Sequence, residues 1–151
     1  MNNSSTVCID ANIVIQRVVS NAAEHLWETW AGSSVRLIAP TLLHYEVTNG
    51  LYRYLKAGIF SLETVEKTLR AAMALPIELV GEADLHQRAK DLAAKYNLPA
   101  AYDSHYLALA ERLEVELWTA DTRLFNAVQP FGVDWVKLVE KFTFRRREEA
   151  F

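Results

Sequence analysis

The chain has one cysteine, four prolines and five glycines in 151 residues, and no surplus of basic charge. Each shortage excludes something. A lone Cys8 rules out an internal disulfide, so packing alone must hold the fold, and a reducing cytoplasm is the compartment that suits such a chain. The scarcity of glycine and proline, with no low-complexity tract or internal repeat, excludes fibrous and disordered classes. No apolar stretch approaches the length of a bilayer span, and the opening MNNSSTV lacks a basic segment followed by an apolar one, so neither a membrane span nor a secretory leader is expected. A net charge of -3 argues against a protein that grips nucleic acid by bulk electrostatics.

What is present is a hydrophobic content of 51% with 23% charged residues, the profile of a globular protein. The length fits a single domain over residues 1–151, with 1–5 as a flexible lead and 145–151 as an exposed tail. Short β-rich runs alternate with longer helical ones. Strands are expected at Thr6–Ile9, Arg36–Ala39, Ile77–Val80, Val115–Thr119 and Val133–Val136, each dense in Val, Ile, Leu or Trp, as strands covered on both faces are.

Helix ends are readable between these runs. Asn21-Ala-Ala-Glu24 resembles a capping box for a helix stopping at Gly32, and Thr41 can cap one running to Ala57 with Gly58 as its stop. Ser61 can cap the next, which Pro76 closes. Leu85, Ala89, Leu92, Ala93 and Tyr96 form a one-sided stripe, whereas Tyr106, Leu107, Leu109, Ala110 and Leu113 surround a helix that should be central. Strands alternating with helices imply an α/β fold, a three-layer α/β/α sandwich around a mostly parallel five-stranded sheet. Ligands bind such sheets beyond the carboxyl ends of the strands.

Four acids fall at that edge. Asp10 follows the first strand, Glu46 lies just over one turn into the helix after the second, and Asp121 comes two residues after the fourth. Asp103 starts a helix that must run antiparallel to the following strand, which brings it to the same edge. Capping accounts for Asp10, Asp103 or Asp121 taken singly. It does not account for Glu46, which sits at the border of the stripe made by Leu43, Val47, Gly50, Leu51 and Tyr54, and therefore needs a partner. Converging carboxylates repel one another, and a hard divalent cation such as Mg²⁺ or Mn²⁺ relieves that repulsion with oxygen ligands and water. Bound there, the ion suits phosphodiester hydrolysis, and its local charge offsets the acidity of the whole chain. No His/Cys cluster with zinc spacing competes.

Asn12, Ser104 and Thr119 are candidate supporting residues that orient carboxylates or waters. Arg17, Arg53, Lys56 and Arg123 are candidates for a phosphate-facing rim, although a solvated role suits any one of them. His44 and His105 lie near the acids, with exposure or packing the simpler reading. Trp27, Trp30, Trp118 and Trp135 fit core or subunit packing, and the i, i+3 pair Trp27 and Trp30 is the candidate subunit interface.

Ile9-Asp10-Ala-Asn12, Tyr45-Glu46-Val47 before Asn49-Gly50-Leu51, the block Leu98-Pro99 through Tyr102-Asp103-Ser104-His105-Tyr106-Leu107-Ala108-Leu109-Ala110, and the closing Leu117-Trp118-Thr119-Ala120-Asp121-Thr122-Arg123-Leu124 resemble, in order and spacing, the PIN domain family and its VapC-type toxins. The resemblance spans nearly the whole chain. It implies an Mg²⁺- or Mn²⁺-dependent endoribonuclease with Asp10, Glu46, Asp103 and Asp121 around the metal and Thr119 in support. It also implies a homodimer, a cognate antitoxin that silences the site, and tRNA or a ribosomal RNA loop as substrate. Two features depart from the family pattern: His105, where a small residue is common, and the basic run Arg145-Arg146-Arg147. The alternatives are a PIN-like module that binds RNA or protein without cutting, a non-toxin RNA-processing nuclease, and a haloacid-dehalogenase-like phosphatase, which would want an acid where Asn12 stands.

Overall fold

The computed structural model describes residues 5–139. The expected tail, and all of the expected lead except Ser5, lie outside the described residues. Ser5 itself already belongs to the fold, because its carbonyl accepts a hydrogen bond from Arg36 N at 2.9 Å.

Five strands, β1 (Thr6–Ile9), β2 (Arg36–Pro40), β3 (Ile77–Val80), β4 (Glu116–Thr119) and β5 (Val136–Leu138), form one sheet in the order β3-β2-β1-β4-β5. Every pairing is parallel, with Val7 opposite Leu37 on one side and Glu116 on the other. Seven helices connect them: α1 (Ala11–Ser20), α2 (Glu24–Gly32), α3 (Leu42–Lys56), α4 (Leu62–Met73), α5 (Leu85–Lys95), α6 (Ser104–Leu113) and α7 (Thr122–Val128). From β1 the chain steps outward through β2 and β3, then returns to lay β4 against the other side of β1. Right-handed crossovers therefore switch faces at that return. Helices α1, α3 and α4 pack together, while α5 pairs with α6, which lies across β1, β2 and β4. The expected α/β/α sandwich is the observed one.

The inner strands are covered on both faces and the edges are not, so β2 is buried over four of its five residues and β3 is only half-buried. Ile9, Ile38, Leu43, Leu51, Leu92, Leu107, Leu109 and Leu117 fill the centre with essentially no exposed surface. Each such side chain contributes about 1.5–3 kcal/mol relative to exposure. Cys8 is buried among them, its Sγ against the Tyr106 carbonyl at 3.8 Å, and burial pushes its thiol far up. That is an inert strand cysteine.

Several local expectations need correction. Asn21 does not cap α2. It closes α1 in the left-handed conformation (φ 54°), and α2 starts at Ala23 with no side-chain cap. The short polar side chain of Asn tolerates that conformation, so it serves here as a stop. Gly32 is the last residue of α2 and Ser33 ends it. The fifth strand begins at Val136 instead of Val133, because pairing with β4 sets Val136 opposite Leu117. Gly132 turns the chain with φ 71° shortly before. Leu113 is exposed at the end of α6, although the rest of that helix is central as expected. Trp27 and Trp30 are buried within this chain, edge to face at 5.4 Å, and Trp30 meets Trp118 at 5.8 Å. They are core residues, so they do not offer a subunit interface. Thr41 and Ser61 occupy the expected N-cap positions, but only Ser61 uses its side chain, accepting from Thr64 N at 3.1 Å.

Candidate active site

The reversal between β1 and β4 opens a crevice at the carboxyl ends of these strands, where loops diverge to opposite faces. Asp10 and Asp121 stand on its two sides, each as the residue on which a helix begins. Asp10 Oδ1 accepts from Ile13 N at 3.2 Å, and Asp121 Oδ1 accepts from Arg123 N at 2.9 Å and Leu124 N at 3.2 Å. The positive ends of α1 and α7 thus point at carboxylates. Asp103 precedes α6 but makes no cap hydrogen bond. Glu46 reaches the same place from α3. Asp10, Glu46 and Asp103 line one cavity of about 160 Å³ together with Asn12, Asn49 and Arg53.

The acids crowd one another. Asp10 is only 4% exposed. Burial lifts its carboxyl to about 7, with Asp103 and Asp121 adding to the rise, while hydrogen bonds from Thr119 and Ile13 oppose it. Asp103 is pushed up to about 6 by burial first, then by the charges of Glu46 and Asp121; Arg123 pulls it down, and the Asp121 carboxyl lies within hydrogen-bond reach. Burial also raises Glu46. Burial is the main cause at each, neighbouring charges add to it at Asp10 and Asp103, and Arg123 offsets part of the rise at Asp103.

Two uncharged groups hold the acids. Thr119, fully buried as the last residue of β4, donates from Oγ1 to Asp10 Oδ2 and accepts from Asp121 N at 2.9 Å. One hydroxyl ties the end of β1 to the start of α7. Tyr106, 0% exposed on α6, donates from its phenol to Glu46 Oε1 at 2.6 Å. This is the partner that a half-buried Glu46 requires. Sequence reasoning assigned Tyr106 to the core alone; the only signal for its second role was that a buried tyrosine hydroxyl normally finds an acceptor.

The remaining candidates divide. Asn12 lines the acidic cavity, whereas Ser104 turns away, its Oγ donating to Ala101 O at 2.8 Å. Arg53 lines the cavity and Arg123 acts on Asp103, but Arg17 sits over the Trp27 ring at 5.8 Å and lines a different cavity. Lys56 is exposed at the end of α3 and lines none of the described cavities. His105 is directed away from the acids, its Nδ1 2.6 Å from Ala101 O and its Nε2 2.8 Å from His86 Nδ1. Asn49, one turn from Arg53 on α3, joins the cavity, although nothing in its local pattern singles it out as a site residue.

The donor set is all oxygen. Among the described residues, no three His, Cys, Asp or Glu side chains are spaced to close on one ion directly. Carboxylates at wider spacing suit a hard ion that keeps several of its waters, as Mg²⁺ does, and suit a soft or tetrahedral ion poorly.

Comparison with known proteins agrees with this fold. A family model described as PIN domain matches residues 8–138. Among solved structures, a toxin–antitoxin complex from Klebsiella pneumoniae superposes with a TM-score of 0.66 at 22% identity, covering 90% of this chain and 99% of that one. PAE2754 from Pyrobaculum aerophilum gives 0.65 at 18% identity over 82% of this chain and 80% of its own. DNA-bound VapBC from Salmonella typhimurium gives 0.62 at 14% identity over 90% and 98%. No curated protein sequence matches the chain. With a family model covering nearly all of the described residues, this chain belongs to the PIN domain family.

Proposed function

We propose that the protein is a metal-dependent endoribonuclease, the toxin of a VapBC-type pair, which hydrolyses RNA phosphodiester bonds at the β1/β4 crevice. The observation that carries the reading is that Asp10, Glu46 and Asp103 line one cavity at the switch point, with Asp121 acting on both Asp10 and Asp103. In this reading the four carboxylates hold Mg²⁺ or Mn²⁺. When bound, the ion supplies Lewis acidity toward the phosphate and an acidified water.

The chain's own residues do the rest. Thr119 fixes the carboxylate of Asp10, and Tyr106 fixes that of Glu46. Arg53 and Arg123 supply positive charge for the phosphate, while Asn12 and Asn49 offer amides to water or ribose. Water attacks phosphorus in line, the bond to the 3′ oxygen breaks, and that oxygen leaves with a proton. The products carry a 5′ phosphate and a 3′ hydroxyl.

Two structural neighbours, a toxin–antitoxin complex and a DNA-bound VapBC, support an antitoxin partner for this chain. The same reading makes it a cytoplasmic homodimer that acts on tRNA or a ribosomal RNA loop. Among the described residues no helix is long and apolar enough to cross a membrane. The rival reading is a non-catalytic module that binds RNA or protein.

A cleavage assay on total RNA and tRNA separates the two. Wild type, Asp10→Ala and Asp121→Asn are each incubated with Mg²⁺, Mn²⁺ or EDTA. Discrete fragments that need the ion and vanish in both variants are expected. Cleavage equal in wild type and variants, or products ending in 2′,3′-cyclic phosphate, would overturn the proposal.

A further inference from the structure

Beside the acids lies a second cavity that the chemistry above does not use. It has a volume of about 350 Å³ at the carboxyl ends of β2 and β3, and its lining includes Tyr45, Tyr102, His86, His105, Leu42 and Leu85. Tyr45 is the residue before Glu46, and Tyr102 is the residue before Asp103. The rim of the cavity and the acidic cluster are therefore carried on the same two segments of chain. What holds the acids in place also holds these rings.

Both tyrosines are displayed, Tyr45 at 76% and Tyr102 at 64% exposure. Their hydroxyls make no hydrogen bond to a described residue, so packing does not explain them. The histidines form a wall with an assignable proton pattern. His105 Nδ1 lies 2.6 Å from the Ala101 carbonyl and carries a hydrogen; with both rings neutral, its Nε2 accepts from His86 Nδ1 at 2.8 Å. In that pattern His86 Nε2 is an acceptor with no partner among the described residues. Among the described residues no Lys or Arg lines the cavity, and the one acid that does, Glu82, is bound to Arg112 at 2.6 Å. The space thus offers exposed aromatic faces and a single ring acceptor without net positive charge. A phosphate finds no partner there; a neutral planar ring with N–H donors does.

We propose that this cavity holds a nucleobase of the substrate, on a nucleotide flanking the phosphate at the acids, stacked on Tyr45 and Tyr102 and contacted by His86. The inference rests on the nuclease reading and specifies how single-stranded RNA is held. A chain of net charge -3 gains little from bulk attraction to RNA, so stacking has to supply much of its grip. Stacking on tyrosine is tolerant of sequence, and the acceptor at His86 adds a preference for a base presenting an N–H at that point.

The test uses a short fluorescein-labelled single-stranded RNA spanning a mapped cleavage site, with Asp121→Asn as the parent so that it is not cut. Binding is followed by anisotropy. Tyr45→Ala combined with Tyr102→Ala is expected to weaken binding about 5- to 100-fold, while the two Tyr→Phe changes keep it within about twofold. Removing one base beside the cut site should weaken the parent by a similar factor and leave the double-alanine variant unchanged. If that variant binds like its parent, whatever protein partner it loses, the cavity does not hold a base and the inference falls while the nuclease stands. Absence of any ion-dependent cleavage by the wild type would instead remove the nuclease reading and this inference with it.

Discussion

Neutralising Asp10 should stabilise the metal-free protein above neutral pH. The carboxyl is buried and held near 7, against 3.8 for an ordinary aspartate. Because the folded state binds this proton more tightly than the unfolded chain, the stability it contributes is present in acid and is lost as pH rises from about 4 to about 7. Above that window the buried charge costs about 4 kcal/mol as a ceiling. Asp10→Asn removes the charge and keeps an oxygen for the Ile13 N–H, since Asn caps helices as well as Asp. One of the two hydrogen bonds at this side chain is compromised, at about 1 kcal/mol. A net gain of about 2–3 kcal/mol at pH 8 in EDTA follows, shrinking toward zero or a small loss at pH 4. Urea denaturation read by tryptophan fluorescence, with Trp27 and Trp30 both buried, measures it directly. Adding Mn²⁺ at pH 8 should reverse the order, stabilising wild type far more than the variant. The reasoning fails if the variant is no more stable than wild type at pH 8 in EDTA, or if the metal-free wild type grows more stable between pH 5 and pH 8.

Thr119→Val keeps the shape of a fully buried side chain but removes the donor to Asp10 and the acceptor for Asp121 N. It should lose about 1–3 kcal/mol in the same urea assay, with Thr119→Ser losing less than half as much; equal effects of Val and Ser would show that the methyl group matters and the hydroxyl does not. Tyr106→Phe retains the packed ring and frees Glu46. On the mapped RNA substrate, kcat is expected to fall about 10-fold with KM little changed, and a change confined to KM would count against a positioning role.

The acids were legible because their sequence context is local: an Asp at a strand end is visible without knowing what lies opposite. Glu46 was legible by conflict, a charge at the border of an apolar stripe. Its partner was not, since Tyr106 lies 60 residues away and its apolar neighbours hide its hydroxyl's purpose. The phosphate rim failed at Arg17 for a geometric reason. Seven residues along α1 from Asp10 is about 10 Å down the axis, which carries that guanidinium away from the carboxyl edge. Helix α1 itself went unread because Asn21, which ends it, looks equally like a start; only φ 54° at that residue decides. The three-residue shift of β5 has a similar origin, because pairing with β4, not composition, fixes which residues of an edge strand enter the sheet.

Thr119 and Asp10 are 109 residues apart, and their hydrogen bond exists only where β4 lies beside β1 in the observed register. The pocket is therefore a late event in the life of the polypeptide. During synthesis Asp10 emerges first and remains without its holder until the segment through Asp121 has been made and docked. Until that long-range pairing closes, the acids are unconnected groups on an incomplete sheet. For the proposed nuclease, a ribosome can complete most of this chain before the product is able to cut RNA.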